Sequence, residues 1–147
     1  MIRPCGQLGG DWHLELEGAQ VTMVVLDYRL SFTVMDDSLD SFNVILVCPF
    51  IARLGYDDHE YRLDPETADA DLGRFAVSLK PQRLIECRGT SAGELLLGFD
   101  GGASVAMKPS GMYEAWEVNY APSEHADASF KIICTPGGER AVWGRDP

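Results

Sequence analysis

Alternating apolar and polar side chains predict a protein built mainly of β-strands. Residues 12–17, beginning at Trp12, alternate strictly, which is the pattern of a strand with one buried face. Residues 42–47 are rich in the apolar and branched side chains that sheets prefer. Further stretches of this kind include 21–26, 30–34, 94–99, 103–107 and 113–120. Together these patterns predict about eight strands.

One segment has the spacing of an amphipathic helix instead. Its apolar side chains recur every three or four residues, at Ala68, Leu72, Phe75, Ala76 and Leu79. Asp64 is a suitable N-cap, and Pro65 suits the first helical position. Pro81 cannot continue the helix. We therefore predict a helix over residues 65–79 that packs on the sheet.

The order of these elements predicts an α+β fold with a mainly antiparallel sheet. Asp100-Gly101-Gly102 marks a tight hairpin between two predicted strands. Residues 24–32 and 96–105 resemble each other in outline, since in both a strand reaches an aspartate, turns and returns. This similarity suggests two three-stranded meanders with the helix between them; a chance likeness of hairpins is the alternative. We expect one domain over residues 1–147, with a flexible N-terminal segment at 1–11.

Composition and charge argue against several classes of function. The chain has 147 residues and a formal net charge of −11, and a negative field of that size repels the phosphates of nucleic acids. Its apolar stretches are too short to span a bilayer, and the N-terminus lacks the apolar region of a signal peptide. The four cysteines are widely spaced, unlike a zinc or redox motif. We expect a reduced cytoplasmic protein without a membrane or nucleic-acid partner.

Two short motifs have catalytic or metal-binding alternatives, and in both the structural interpretation is favoured. Residues 89–93 fit the G-x-S-x-G pattern of a serine hydrolase around Ser91, with His125 as the histidine that follows. A strand pattern follows the motif, whereas a nucleophile elbow requires a helix, so we predict a β-turn. Residues 57–60 with Asp64 combine carboxylates and an imidazole, but their spacing matches no known metal loop. We expect no catalytic residue, metal or cofactor.

The most distinctive residues lie in the last third of the chain. If residues 113–120 form a strand, Glu114 and Trp116 share one of its faces, and a carboxylate beside an indole can form a binding platform. The alternative is a core tryptophan covered by a partly exposed acid. The candidate binding residues are Tyr113, Glu114, Trp116, Asp100, Glu139 and Trp143.

These segments also carry a resemblance to a known family. They are residues 99–102 (FDGG), 113–116 (YEAW), 136–139 (PGGE) with Trp143, and 63–66 (LDPE). In them the chain resembles a family of small bacterial proteins, mostly actinobacterial, and the likeness spans most of its length. The resemblance implies a shared fold and no particular activity. Some small acidic proteins of similar architecture resemble immunity proteins of toxin systems, which is an analogy of fold.

Three functional hypotheses follow. The first is a non-enzymatic protein-binding module, immunity-like in its action, whose acidic surface caps a basic partner. The second is a small-molecule binder or hydrolase with a pocket near Glu114 and Trp116. The third is a structural role in a homo-oligomer, such as a homodimer, that forms through a free sheet edge.

Overall fold

The computed structural model describes residues 2–55, 59–67, 69–122 and 128–144. The residues in these ranges form thirteen strands and one α-helix. In chain order they are β1 (Arg3–Gly6), β2 (Trp12–Glu15), β3 (Gln20–Leu26), β4 (Leu30–Met35), β5 (Ser41–Leu46), β6 (Phe50–Arg53), β7 (Tyr61–Leu63), α1 (Ala70–Leu79), β8 (Leu84–Gly89), β9 (Leu95–Phe99), β10 (Ser104–Met107), β11 (Trp116–Tyr120), β12 (Phe130–Cys134) and β13 (Arg140–Trp143).

The strands form two sheets with antiparallel pairing throughout. The seven-stranded sheet has the order β1-β2-β8-β9-β10-β6-β7, and the six-stranded sheet has the order β13-β12-β11-β5-β4-β3. With one helix of ten residues, this confirms the mainly antiparallel α+β fold. Within the described ranges, no helix is long and apolar enough to cross a bilayer.

The predicted number of strands is wrong, because the described residues alone form thirteen. The strands that the pattern did not reveal, β1, β6, β7 and β13, have only three or four residues each. Over so few positions an alternation is recognised only where the flanking residues continue it, as residues 16 and 17 do for β2. Strand β1 lies within residues 1–11, the segment expected to be flexible. It pairs with β2, where Arg3 lies opposite Glu15. Ile2 and Leu8, on either side of β1, are buried in the core.

One of the two predicted meanders is confirmed. Strands β3, β4 and β5 are consecutive neighbours in the six-stranded sheet, and Asp27–Arg29 form the first turn. The second meander is wrong as predicted, because β11 leaves β9 and β10 and joins the other sheet between β5 and β12. Strands β8, β9 and β10 form the meander of the seven-stranded sheet instead.

The core lies between the two sheets. The alternating buried side chains of β4 and β9 face each other, and the rings of Phe32 and Phe99 lie 5.9 Å apart. The rings of Trp12 and Trp116 make a second contact across the sheets, at 6.1 Å. Because each sheet buries one face in this layer, the polar positions of every strand point outward.

The helix is shorter than predicted. It begins at Ala70, and Asp69 is its N-cap, whose carboxylate accepts a hydrogen bond from the backbone N of Leu72 at 2.9 Å. Asp64 caps a separate turn, in which it accepts from the backbone N of Glu66 at 3.0 Å. Both aspartates satisfy the cap rule, so the sequence alone did not distinguish them. The described members of the apolar stripe, Leu72, Phe75, Ala76 and Leu79, are buried, and Ala68 lies outside the described residues. The ring of Phe75 packs on that of Phe50 of β6.

Candidate functional site

Trp116, the centre of the predicted platform, belongs to the core. Its side chain is fully buried, and its indole Nε1 donates a hydrogen bond to the carbonyl oxygen of Gly93 at 2.9 Å. The Sγ of Cys134 approaches the same oxygen at 3.5 Å. The tryptophan therefore joins the β8–β9 turn to the six-stranded sheet and offers no surface to a ligand.

Tyr113 and Glu114 lie in the loop before the strand, because β11 begins at Trp116. The proposed sharing of one strand face by Glu114 and Trp116 is therefore wrong. Glu114 is exposed, and its backbone carbonyl faces the Sγ of Cys48 at 3.8 Å. Tyr113 remains 61% exposed and lines a groove described below.

The other three predicted binding residues are dispersed. Asp100 closes a hairpin, where its carboxylate accepts from the backbone N of Arg83 at 2.9 Å. Glu139 is exposed in the β12–β13 turn, where its carbonyl accepts from the backbone N of Thr135 at 2.7 Å. Trp143 lies on β13 with the ammonium of Lys131 5.8 Å from its ring centre. The six predicted residues do not meet in one cavity of the described structure.

The hydrolase motif forms a β-turn, as predicted. Thr90 and Glu94 pair through the backbone at 3.0 Å, and Gly93 donates to the carbonyl of Thr90 at 3.0 Å. Because β9 follows directly, Ser91 is not raised at the start of a helix as a nucleophile elbow requires. His125 lies outside the described residues.

The acidic loop at 57–60 falls partly outside the described residues, since these exclude Asp57 and Asp58. The described ranges contain no group of three or more histidine, cysteine, aspartate or glutamate side chains placed to hold a metal ion.

A cleft lined by carboxylates opens where β2 and the β4–β5 turn meet. It has a volume of about 600 Å³. Four acids and one base line it, together with Ile2, Leu16 and Ser38: Glu15, Glu17, Asp36, Asp37 and Arg3. We call it the acidic cleft. Its charged lining carries a formal charge of −3, so it favours a cationic group.

Backbone hydrogen bonds shape the side of the cleft formed by the β4–β5 turn. The carboxylate of Asp36 accepts from the backbone N of Ser38 and of Asp40, both at 2.9 Å. Gly18, with φ of +63°, leaves the space that the Asp37 carboxylate occupies, because a Cβ there would lie 2.4 Å from its Oδ2. The Asp36 carboxylate is thus held in position before any ligand arrives, and the absence of a side chain at Gly18 leaves room for that of Asp37.

A buried tyrosine anchors the same turn to the sheet. The hydroxyl of Tyr120 on β11 donates to the carboxylate of Asp40, which also accepts from the backbone N of Ile2 at 3.3 Å. Burial, and then the hydrogen bond to Asp40, raise the pKa of Tyr120 to about 12. The hydroxyl is therefore protonated at neutral pH and can donate this bond.

Leu39 stands at the tip of the turn beside the acidic cleft. Its φ is +62°, a backbone conformation that is uncommon for a residue other than glycine. Its side chain is 78% exposed. Since a strained exposed leucine contributes nothing to the core, its position suggests a role at the surface.

Sequence reasoning missed this cleft. Glu15 and Glu17 appeared only as the polar positions of a strand, and residues 36–41 as a polar break between two strands. The available signal was two clusters of acids in regions predicted to be exposed. Their meeting depends on contacts between elements about twenty residues apart, which no local pattern reveals.

A second concavity, of about 590 Å³, lies on the outer face of the seven-stranded sheet. We call it the apolar groove. Its lining includes Cys48, Ile51, Arg62, Glu94, Lys108, Pro109, Met112 and Tyr113. Burial raises the pKa of the Cys48 thiol; the nearby Asp64 and Glu66 raise it further, and a hydrogen bond with Ser110 lowers it. A thiol in this protonated state is a poor nucleophile.

Comparison with known proteins agrees with the predicted resemblance only in that it finds a family of unknown function. Neither the curated proteins nor the solved structures include a match to this chain. One family model matches residues 12–144, which include twelve of the thirteen strands and the helix. The chain therefore belongs to this family, a family of unknown function designated DUF6188.

Proposed function

We propose that this protein is a non-enzymatic binding module that caps a basic region of a partner protein, in the manner of an immunity or inhibitor protein of the cytoplasm. The acidic cleft carries the proposal. It combines four carboxylates with a single guanidinium in a protein of net charge −11. Arrangements of this kind favour a complementary positive surface and speed its approach.

The chemistry of the cleft is that of recognition. Glu15, Glu17 and Asp37 are exposed, so their carboxylates can receive lysine or arginine side chains without a large desolvation cost. Arginine is especially suited, because its planar guanidinium matches a carboxylate through two hydrogen bonds. An acidic cluster alone gives association that weakens strongly with salt.

Leu39 adds an apolar contact beside the charged one. Binding energy in protein interfaces is concentrated in a few central apolar or aromatic side chains, which a polar rim surrounds. A 78% exposed leucine next to the acidic cleft fits the place of such an anchor. The partner surface would then present basic side chains around a small apolar depression.

The test compares two double variants of equal charge. Glu17→Gln with Asp37→Asn removes two carboxylates from the acidic cleft. Glu114→Gln with Glu139→Gln removes two exposed carboxylates from elsewhere on the surface. Each pair changes the net charge from −11 to −9, so any difference between them comes from position. Tagged wild type and both variants are incubated with lysate of the source cell at about 50 mM and about 300 mM salt, and retained proteins are identified by mass spectrometry.

The expected result is one basic protein that wild type and the Glu114/Glu139 variant retain and the Glu17/Asp37 variant loses. With the purified partner, titration calorimetry should then show an affinity at least about tenfold weaker for the cleft variant. If both double variants bind equally well, the acidic cleft is not the binding surface. If wild type retains no basic protein at either salt concentration, the proposed function is refuted.

A further inference from the structure

The apolar groove has the features of a small-molecule site that is separate from the acidic cleft. Its volume of about 590 Å³ lies within the range typical of small-ligand sites, about 300–1,000 Å³. The two concavities share no lining residue. The inference below therefore does not depend on the proposed function.

Large apolar side chains are exposed around the groove. Ile51 is 38% exposed, Met112 76% and Tyr113 61%. In a folded domain, apolar surface gathered at one concavity is typical of a binding site. The wall of the groove formed by residues 108–113 thus carries a flexible thioether and an aromatic ring, side chains that adapt to apolar ligands.

The groove is formed before a ligand binds. Ser110 holds the loop, because its hydroxyl accepts from the backbone N of Met112 at 3.1 Å and of Tyr113 at 3.3 Å. Its carbonyl accepts from the backbone N of Gly137 at 2.9 Å. The floor is part of the sheet, since Ala106 pairs with Ile51 and Ile51 with Arg62 in one row across β10, β6 and β7.

Two cations line this groove, Arg62 and Lys108, and neither has a carboxylate partner among the described residues. Elsewhere on the same sheet, Arg53 is paired with Glu60 and Arg88 with Glu86. Glu94 is the one acid among the described lining residues, so this lining has a formal charge of +1 in a protein of net charge −11. Asp64 and Glu66, which raise the pKa of Cys48, lie outside the lining.

We propose that the apolar groove binds a small amphipathic carboxylate, with its apolar body against Ile51, Met112 and Tyr113 and its carboxylate toward Arg62 and Lys108. Guanidinium and ammonium groups form charge-assisted hydrogen bonds with a carboxylate. The apolar lining favours a hydrocarbon chain over a sugar or a nucleotide. Glu94 disfavours ligands with several negative charges.

The experiment uses three eight-carbon probes with different head groups: octanoate, octylammonium and 1-octanol. Their binding to the whole protein is followed by titration of amide chemical shifts in NMR spectra, which locates each contact. Arg62→Gln and Lys108→Gln test the charged groups, and Arg53→Gln is the matched control on the same sheet. Hexanoate, which has two methylenes fewer than octanoate, tests the apolar contact. Each buried methylene contributes about 0.8 kcal/mol, or about fourfold in affinity, so hexanoate should bind about fifteenfold more weakly than octanoate.

Octanoate should bind most tightly of the three probes and shift the amides of Ile51, Met112 and Tyr113. Arg62→Gln and Lys108→Gln should each weaken it about tenfold, whereas Arg53→Gln and the Glu17/Asp37 variant should leave it unchanged. The proposal is overturned if octylammonium binds as well as octanoate, if neither Arg62→Gln nor Lys108→Gln weakens binding, or if the shifts map outside the groove. Tighter binding of the peptide acetyl-Ala-Leu-Leu than of octanoate would overturn it in favour of a peptide site.

Discussion

Replacing Tyr120 with phenylalanine removes one hydroxyl that joins three parts of the chain. That hydroxyl donates to Asp40 in the β4–β5 turn, and Asp40 also accepts from the backbone N of Ile2. The ring itself is fully buried and packs on Phe130 at 5.4 Å. Phenylalanine fills nearly the same volume, so Tyr120→Phe isolates the hydrogen bond that fixes the turn beside the acidic cleft.

The structure sets the expected loss of stability at neutral pH. A hydrogen bond to a charged group contributes about 1.5–3 kcal/mol to folding. Asp40 is only half-buried, so water can solvate its carboxylate once the hydroxyl is gone, and the lower value of about 1.5 kcal/mol applies. In a protein of this size that corresponds to a fall in Tm of about 3–6 °C.

The raised pKa of Tyr120 adds a dependence on pH. An unfolded tyrosine ionises near pH 10, whereas the folded pKa is about 12. The stabilisation is therefore fully present below about pH 10 and is lost as pH rises toward 12. A shift of two pKa units corresponds to about 2.7 kcal/mol of stabilisation. Because solvent near the half-buried Asp40 screens the interaction, we expect a loss of about 1–2 kcal/mol across this pH range. Phenylalanine cannot ionise, so the difference between the two proteins should shrink across this window.

Urea unfolding, followed by tryptophan fluorescence at about pH 8 and about pH 11, measures both effects. Tyr28→Phe is the control, because Tyr28 is 84% exposed and its hydroxyl should contribute less than about 0.5 kcal/mol. A loss for Tyr120→Phe as small as that of the control would refute the assigned hydrogen bond. A difference between wild type and Tyr120→Phe that stays constant with pH would refute the raised pKa.

Two further substitutions test how the elements are joined. Gly93→Ala should lower the free energy of unfolding by about 2 kcal/mol or more, because Gly93 has φ of +85° and a Cβ there would lie 2.7 Å from the carbonyl oxygen of Gly138. Urea unfolding measures this loss. Gly111→Ala is the control and should be nearly neutral, because a Cβ there meets no atom within 4 Å. Asp69→Ala should lower the stability of the fold by about 1 kcal/mol, because the N-cap hydrogen bond is lost, whereas Asp69→Asn should retain most of that stability. Thermal unfolding followed by circular dichroism compares the two variants, and equal losses would contradict the capping role.

The local elements of this fold were largely predictable from the chain. Alternation located β2 and β4, since their inward positions are apolar and their outward positions mostly polar, and the Asp100-Gly101-Gly102 turn marked the end of β9. The apolar stripe located α1, although the start was placed five residues too early because Asp64 and Asp69 are both acceptable caps. Very short strands such as β7 were not recognisable, because pairing with a neighbour defines them more than their own composition does.

The functional surfaces were less predictable. The sequence places Tyr113 on a predicted strand over residues 113–120, whereas the structure places it in a loop at the apolar groove. Trp116 was conspicuous in the sequence as a candidate binding residue, whereas in the structure its indole belongs to the core. An unusual aromatic residue is conspicuous in a sequence whether it packs internally or faces a partner, and only burial separates the two cases.

The sequence by itself determined the class of this protein: an acidic chain of short antiparallel strands with one amphipathic helix, because periodicity and charge are local or additive properties. The tertiary structure alone decided which sheet β11 joins. It also brought Glu15 and Glu17 to Asp36 and Asp37, and set Arg62 beside the loop that carries Met112. The physical reason is that strand pairing and cleft formation depend on contacts between distant residues, and many alternative partners satisfy the same alternation of apolar and polar side chains.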